Sequence, residues 1–261
     1  MLDMSQIEEF FSIPLRSFKR NLLREYLQYK ALEAIYDSPS GGSLVFMGGT
    51  AVHLLHGGPR FSEDLDFDNR GLSLSDFKSL AARLRQKMEW EGLPTEATVT
   101  ARGAFRISLR FPGLLRRMGL STDPREKVNL MIDAESQNFE YKPDTPLIHK
   151  FDVFTRIQAT PPDLLLAQKV FCIFSRSRPM GRDFFDALFL WSKSEPRLDF
   201  LKSKLRIKSA DDLKDRLTSR CLELDFKKMS EDVAPFLFDP KDSVRVRMFP
   251  QFVQEHAFTF E

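Results

Sequence analysis

Two aspartates two residues apart, Asp64 and Asp66, stand in the alternating run Arg-Phe-Ser-Glu-Asp-Leu-Asp-Phe-Asp (60–68). On a strand, side chains two apart leave the same face. Two carboxylates so placed offer hard oxygens to one cation, which favours Mg²⁺ or Mn²⁺. Such ions bind through one or two carboxylates together with substrate phosphates. About one short helix upstream lies Gly48-Gly49-Thr50. Glycines let backbone approach a phosphate, helix N-terminal N–H groups point at it, and a threonine hydroxyl adds a donor. Arg60 and Ser62, at the start of the aspartate run, are further candidate phosphate donors.

The elements that must position these groups follow from periodicity. Residues 43–47 (SLVFM) read as a short buried strand, AVHLLHG as a short helix ending at Gly57, and the aspartate run as a second strand. One helix then lets the two strands lie side by side, with the glycine turn and the aspartates at one mouth. Upstream, residues 16–36 place Leu22, Leu23, Tyr26, Leu27, Ala31, Leu32 and Ile35 at helical spacing. Downstream, Ser73 or Ser75 caps a helix that ends at Gly92. Strands are expected over 95–102 and 104–111, joined at Arg102-Gly103, then over 126–134 and 151–159. Thr160-Pro161-Pro162-Asp163 announces a helix by its cap, its prolines and its acid. Beyond it the pattern is helical. The expected fold is α+β (α/β): a mixed sheet flanked by helices over residues 1–159, followed by a helical domain over 160–261.

Bulk properties narrow the class. The chain has 261 residues, 42% hydrophobic and 29% charged, with a formal net charge of +2, so no global charge points to a polyelectrolyte partner. Two cysteines far apart, Cys172 and Cys221, suit reduced thiols. No apolar run has membrane-spanning length, so a soluble, cytoplasmic protein is expected. No Walker A loop, hydrolase elbow or zinc spacing is present, and His53 and His56 read as packing residues. Locally, residues 100–130 hold seven basic side chains, Arg106 and Arg110 among them, against two acids. Residues 169–182 hold Lys169, Arg176, Arg178 and Arg182 with no acid. Either region is a solvated face or a surface for phosphates or an RNA acceptor such as tRNA.

The stretch GGTAVHLLHGGPRFSEDLDF resembles the signature of the nucleotidyltransferase superfamily, and in its particular form the AbiEii/AbiGii toxin family. PPDLLLAQKVFCIFSRSRPMGRDFFDAL resembles that family's second block. The resemblance implies a divalent-metal-dependent transfer of NMP from an NTP (ATP, GTP or CTP) to an acceptor hydroxyl, a neighbouring antitoxin, and a nucleotidyltransferase-like sheet. It assigns the metal to Asp64 and Asp66, a catalytic part to Lys169, Asp183 and Asp186, and contact with the nucleotide phosphates to Arg176 and Arg182, with Lys169 also neutralising phosphate charge. The superfamily's third acid aligns with Asn129, so either Asp133, on the same face of that strand, serves, or the role is absent, or it has moved to Asp183 or Asp186 in the helical domain. Two other readings compete: an interaction protein that binds nucleotide or antitoxin without catalysis, and a small-molecule nucleotidyltransferase.

Overall fold

The computed structural model describes residues 1–260, apart from the side chain of Arg102. It divides into two compact units, residues 1–51 with 63–159, and residues 52–62 with 160–261.

In the first unit, α1 (Met4–Glu9) and α2 (Lys19–Tyr36) precede β1 (Leu44–Met47), and α3 (Gly48–His56) starts directly at the end of that strand. The chain continues through β2 (Leu65–Asn69), α4 (Leu74–Trp90), β3 (Glu96–Arg102), β4 (Ala104–Pro112), the short α5 (Leu114–Arg117) and β5 (Lys127–Glu135). Five strands form one mixed sheet in the order β1-β2-β5-β4-β3. Only β2 and β5 run parallel; the other neighbours are antiparallel. β1 and β2 therefore lie side by side, with Met47 opposite Asp66. Leu65, Phe67, Ile107, Leu109, Leu130 and Ile132 are fully buried, while Arg106, Arg110 and Asn129 are exposed. Period-two alternation thus gives the sheet one apolar and one polar face.

The local signals act as physics requires. Ser73 caps α4 in a reciprocal box with Asp76. Gly103 turns the β3–β4 hairpin at φ +82°. α2 is buried on more than its apolar stripe, because Lys30 forms an internal cluster with Glu33 and Glu91. The expected strand 151–159 is shorter, β7 (Val153–Arg156). It pairs with β6 (Leu147–Lys150), which the sequence pattern did not reveal. Ala159 then bridges Phe46 and Asp144 singly.

The second unit contains α6 (Pro162–Ser175), α7 (Gly181–Trp191), α8 (Leu198–Leu205), α9 (Ala210–Leu222), α10 (Phe226–Val233), α11 (Val244–Arg247) and α12 (Phe249–Glu255). The cap of α6 is Pro161, one residue later than Thr160. Phe184, Phe226 and Phe249 pack ring against ring in its core. Gly181 lets α7 begin against the backbone of α10, where a Cβ would stand 1.9 Å from the Met229 carbonyl. Among the described residues no helix is long and apolar enough to cross a membrane.

Candidate active site

The glycine turn is built around an aspartate. Gly48 has φ +77°, a conformation that L side chains rarely adopt. A Cβ there would lie 2.3 Å from Oδ2 of Asp66 and 2.9 Å from its Cβ and Cγ. The absent side chain is the space the Asp66 carboxylate occupies. The N–H groups of the first helical turn have no intrahelical acceptor, and they carry the positive end of the helix dipole. In α3 that end adjoins Asp66. Asp64 immediately precedes β2 rather than lying within it.

Thr50 has a structural contact of its own. It is fully buried, and its hydroxyl donates to the backbone carbonyl of Asp64. A hydroxyl carries one proton, so this contact pins the start of β2 to α3 and leaves no hydroxyl hydrogen for a phosphate. Asp68, next on the same face, is also structural. Its Oδ1 accepts from the Gln137 N–H at 2.8 Å.

Asp66, Asp133 and Arg106 stand in one row across the polar face, Asp66 opposite Asp133 on β5 and Asp133 opposite Arg106 on β4. Arg106 grips Asp133 with both arms: Nε donates to Oδ1 at 2.6 Å and Nη2 to Oδ2 at 2.8 Å. The hydrogen bond to Asp133 raises the Arg106 pKa above its ordinary value, and the Asp64 and Asp66 charges add to the effect. Both oxygens of Asp133 are therefore engaged, so as it stands this acid is no open general base. Asn129 accepts from the Ser108 hydroxyl at 2.7 Å. The sequence reading placed Arg106 only in a basic stretch. Its alternation with Ser108 and Arg110 gives the face, but the register that sets it opposite Asp133 is not written in any one strand.

That basic stretch is less positive than its count suggests. Besides Arg106, Lys127 pairs with Glu96 at 2.9 Å and Arg125 with Asp123 at 3.3 Å, while Arg117 donates to the Gly92 carbonyl at 2.7 Å. Arg110 and Arg116 are exposed.

In the second unit, the remaining candidates form a buried ion network. Arg60, 2% exposed, donates bidentately to Asp186 through Nε and Nη2, both at 2.6 Å. Lys169 Nζ lies 2.9 Å from Asp186 and 3.5 Å from Asp183, and Arg176 Nε lies 3.4 Å from the other Asp183 oxygen. Burial pushes Asp186 up, yet Arg60 and Lys169 hold it below the ordinary carboxylate value. Burial pushes Lys169 down, yet Asp186 and Asp183 hold it above its ordinary value. Arg60 and Lys169 thus have carboxylate partners inside the second unit, and Asp183 and Asp186 are buried beside these cations, the two Asp183 oxygens without a hydrogen bond among the described residues. Burial pushes the neighbouring Cys172 thiol up, which disfavours its thiolate form. Ser62 is half-buried at the end of the 52–62 segment. Arg182, in the first turn of α7, is half-buried and has no ion pair or hydrogen bond to a described residue. His53 packs against Phe61 and Phe238, with Nδ1 2.8 Å from the Gly58 carbonyl, in keeping with a packing histidine.

Among the described residues, no three His, Cys, Asp or Glu side chains form a cage for a metal. Asp64 and Asp66 remain, two hard oxygen donors of the kind that share an ion with phosphate oxygens.

The chain is similar in fold to solved nucleotidyltransferase structures. Over 98% of its length it superposes on 91% of MenT4, a nucleotidyltransferase toxin from Mycobacterium tuberculosis, with a TM-score of 0.57 and 15% identity. Over 90% of its length it matches 92% of JHP933 from Helicobacter pylori, with a TM-score of 0.55 and 19% identity. No curated protein sequence matches it. The family model described as "Nucleotidyl transferase AbiEii toxin, Type IV TA system" matches residues 30–256, which include the glycine turn, both aspartates and the buried ion network. With so much of its length matched, the chain belongs to the AbiEii family of nucleotidyltransferase toxins.

Proposed function

We propose that this nucleotidyltransferase toxin transfers a nucleoside monophosphate from an NTP to an acceptor hydroxyl, with the chemistry centred on Asp64 and Asp66. The observation that carries the reading is the contact between Gly48 and Asp66, which joins a helix N-terminus to a carboxylate at van der Waals distance. Anions are favoured at the first and cations at the second. A nucleotide triphosphate with its counter-ion is the ligand class that needs both.

The residues fit Mg²⁺ or Mn²⁺. Asp64 and Asp66 would hold the ion, which when bound neutralises charge on the phosphates and on the leaving group. The N–H groups of Gly48, Gly49 and Thr50 orient the triphosphate. Thr50 keeps Asp64 in place through its carbonyl. The acceptor oxygen attacks the α-phosphorus in line. A new P–O bond forms as the bond from the α-phosphorus to the α,β-bridging oxygen breaks, pyrophosphate leaves with that electron pair, and the acceptor's hydroxyl proton passes to solvent water. The protein's part is positioning and charge compensation.

A toxin of this family acts beside an antitoxin, and we infer an RNA hydroxyl, tRNA among the options, as the acceptor. Exposed Arg110 and Arg116 support an anionic partner. The test is incubation of the purified protein with each labelled NTP, Mg²⁺ and total RNA. Label on RNA that Asp66→Asn abolishes is the expected result. Nucleotide binding without transfer to RNA or to any small alcohol or amine would instead favour a binding protein.

A further inference from the structure

The five-stranded sheet has two edges, and they differ. The β1 edge is covered: the Phe46 N–H donates to the Gln158 carbonyl at 2.8 Å, and Phe46 bridges Ala159. At the other end stands β3, with β4 as its only neighbour in the sheet. Among the described residues, no backbone hydrogen bond reaches β3 from its outer side. An antiparallel strand with one partner turns the N–H and C=O of every second residue outward. Natural edges are usually blunted by proline, lysine, a bulge or a covering element. β3 reads Glu-Ala-Thr-Val-Thr-Ala-Arg (96–102), without proline or lysine. Its register with β4 runs unbroken from Glu96 to Arg102, so it has no bulge.

The same strand reads alike in both directions about Val99: Ala97-Thr98-Val99-Thr100-Ala101, with residues of opposite charge, Glu96 and Arg102, at its ends. An antiparallel partner is met in reverse order. A second copy of β3 centred on Val99 therefore sets Val99 opposite Val99, Thr98 opposite Thr100, Ala97 opposite Ala101 and Glu96 opposite Arg102. β-Branched, threonine and opposite-charge pairs of this kind stabilise strand pairing, and no like charges are opposed along the two strands. Glu96 already accepts from Lys127, but its side chain is 49% exposed and a carboxylate accepts several hydrogen bonds. Thr98, Thr100 and Ala101 are exposed, and Ala97 and Val99 half-buried. Beside the edge, α4 and β3 leave a groove of about 450 Å³ whose lining includes Ala81, Ala82, Ala97 and Val99. Lys78 and Arg85 at this groove are exposed, and their long stems let the charges turn to water.

We propose that the outer edge of β3 is a self-association surface: two copies of this chain pair β3 with β3, antiparallel and centred on Val99, and join their five-stranded sheets into one. The interface is isologous, with the same strand on both sides. Directly opposed residues of an antiparallel pair share a face. The two polar faces, each with its row of Asp66, Asp133 and Arg106, therefore turn the same way. The inference does not depend on the chemistry of that row.

Sedimentation of the full chain over a range of concentrations tests it. Wild type should pass from monomer to dimer as concentration rises. Val99→Lys sets two ammonium groups face to face and should weaken association on the order of tenfold or more. Glu96→Arg alone and Arg102→Glu alone each oppose like charges at both ends, so each should associate far more weakly than wild type. Mixed in equal amounts, these two variants restore both opposite-charge pairs and should form a heterodimer. Urea midpoints check that each variant is folded. Directly opposed Cα atoms lie about 4.5–5.5 Å apart, within disulfide reach, so mildly oxidised Val99→Cys should become a covalent dimer. Ala97→Cys, whose counterpart is Ala101, and wild type with its native Cys172 and Cys221 should not. Wild type that stays monomeric at its highest soluble concentration overturns the proposal and leaves the edge to an extended segment of another protein. A dimer that Val99→Lys leaves intact overturns it as well, as does a mixture of the two folded charge variants that associates no more than either alone. Cross-linking through Ala97→Cys but not through Val99→Cys overturns the register.

Discussion

Oδ2 of Asp66 lies 2.3 Å from the point where a Cβ of residue 48 would stand. Real Cβ atoms do not come so close to an oxygen, and φ at this position is +77°. Gly48→Ala therefore meets two costs at once. The left-handed backbone costs a non-glycine residue about 1–2 kcal/mol, and crowding adds about 1–3 kcal/mol. The expected outcome is a stability loss of about 2–5 kcal/mol in urea unfolding, with nucleotide transfer lost even at temperatures where the variant is folded. A folded Gly48→Ala enzyme of wild-type activity would show that the carboxylate does not need this place.

Thr50→Val tests the pin between α3 and the start of β2. Valine matches the shape of threonine but leaves the Asp64 carbonyl without its hydroxyl partner. A lost buried hydrogen bond costs about 1–3 kcal/mol. Because the pinned carbonyl belongs to Asp64 itself, the loss should appear in kcat as well as in stability. Thr50→Ser keeps the hydroxyl and should recover most of kcat. Equal kcat for the valine and serine variants would mean that Asp64 is positioned by other contacts.

The pairing of a glycine turn with an aspartate strand was legible because both follow local rules, one of backbone freedom and one of alternation. The same holds for Ser73 at the cap of α4 and for Gly103 in the hairpin. Which partner each charged residue would take was not legible. Arg60 lies 126 residues from Asp186, and Arg106 lies 27 from Asp133. Nothing in the sequence near Arg60 distinguishes an internal counter-ion from a phosphate ligand, because both need the same guanidinium. Burial decides between them, and burial is set by tertiary packing. β6 was missed for a related reason: with four residues and one buried position, it carries too little alternation to read.

The buried network predicts a stability effect with a defined pH dependence. Removing one partner of a buried pair strands the other, at about 3–5 kcal/mol, so Arg60→Met and Lys169→Met should each unfold far more easily than wild type. Asp186 has a folded pKa below its unfolded value of 3.8. Its contribution is therefore complete above that value and lost as pH falls through the folded pKa. Lys169 is shifted the other way from 10.5, so its contribution is complete below that value and lost only as pH rises through the higher folded pKa. Urea midpoints measured from pH 7 down to about pH 3 should fall more steeply for wild type than for Asp186→Asn, which lacks the titrating group. Parallel slopes would exclude Asp186 as a source of acid sensitivity.

Arg182 separates ligand binding from stability in the second unit. Arg60 and Lys169 face buried carboxylates, and Arg176 touches Asp183, whereas Arg182 has no such partner among the described residues. Removing a charge that holds no internal partner should move stability by no more than about 0.5 kcal/mol. The family resemblance implies a phosphate contact for this arginine, and we propose that it makes one. Arg182→Gln is therefore expected to keep the wild-type urea midpoint while raising KM for the NTP, and to flatten the fall of NTP affinity with salt. Lys169→Met should behave in the opposite sense, losing stability first. If Arg182→Gln bound NTP like wild type while Lys169→Met stayed stable and bound it weakly, the assignment of the two cations would have to be exchanged.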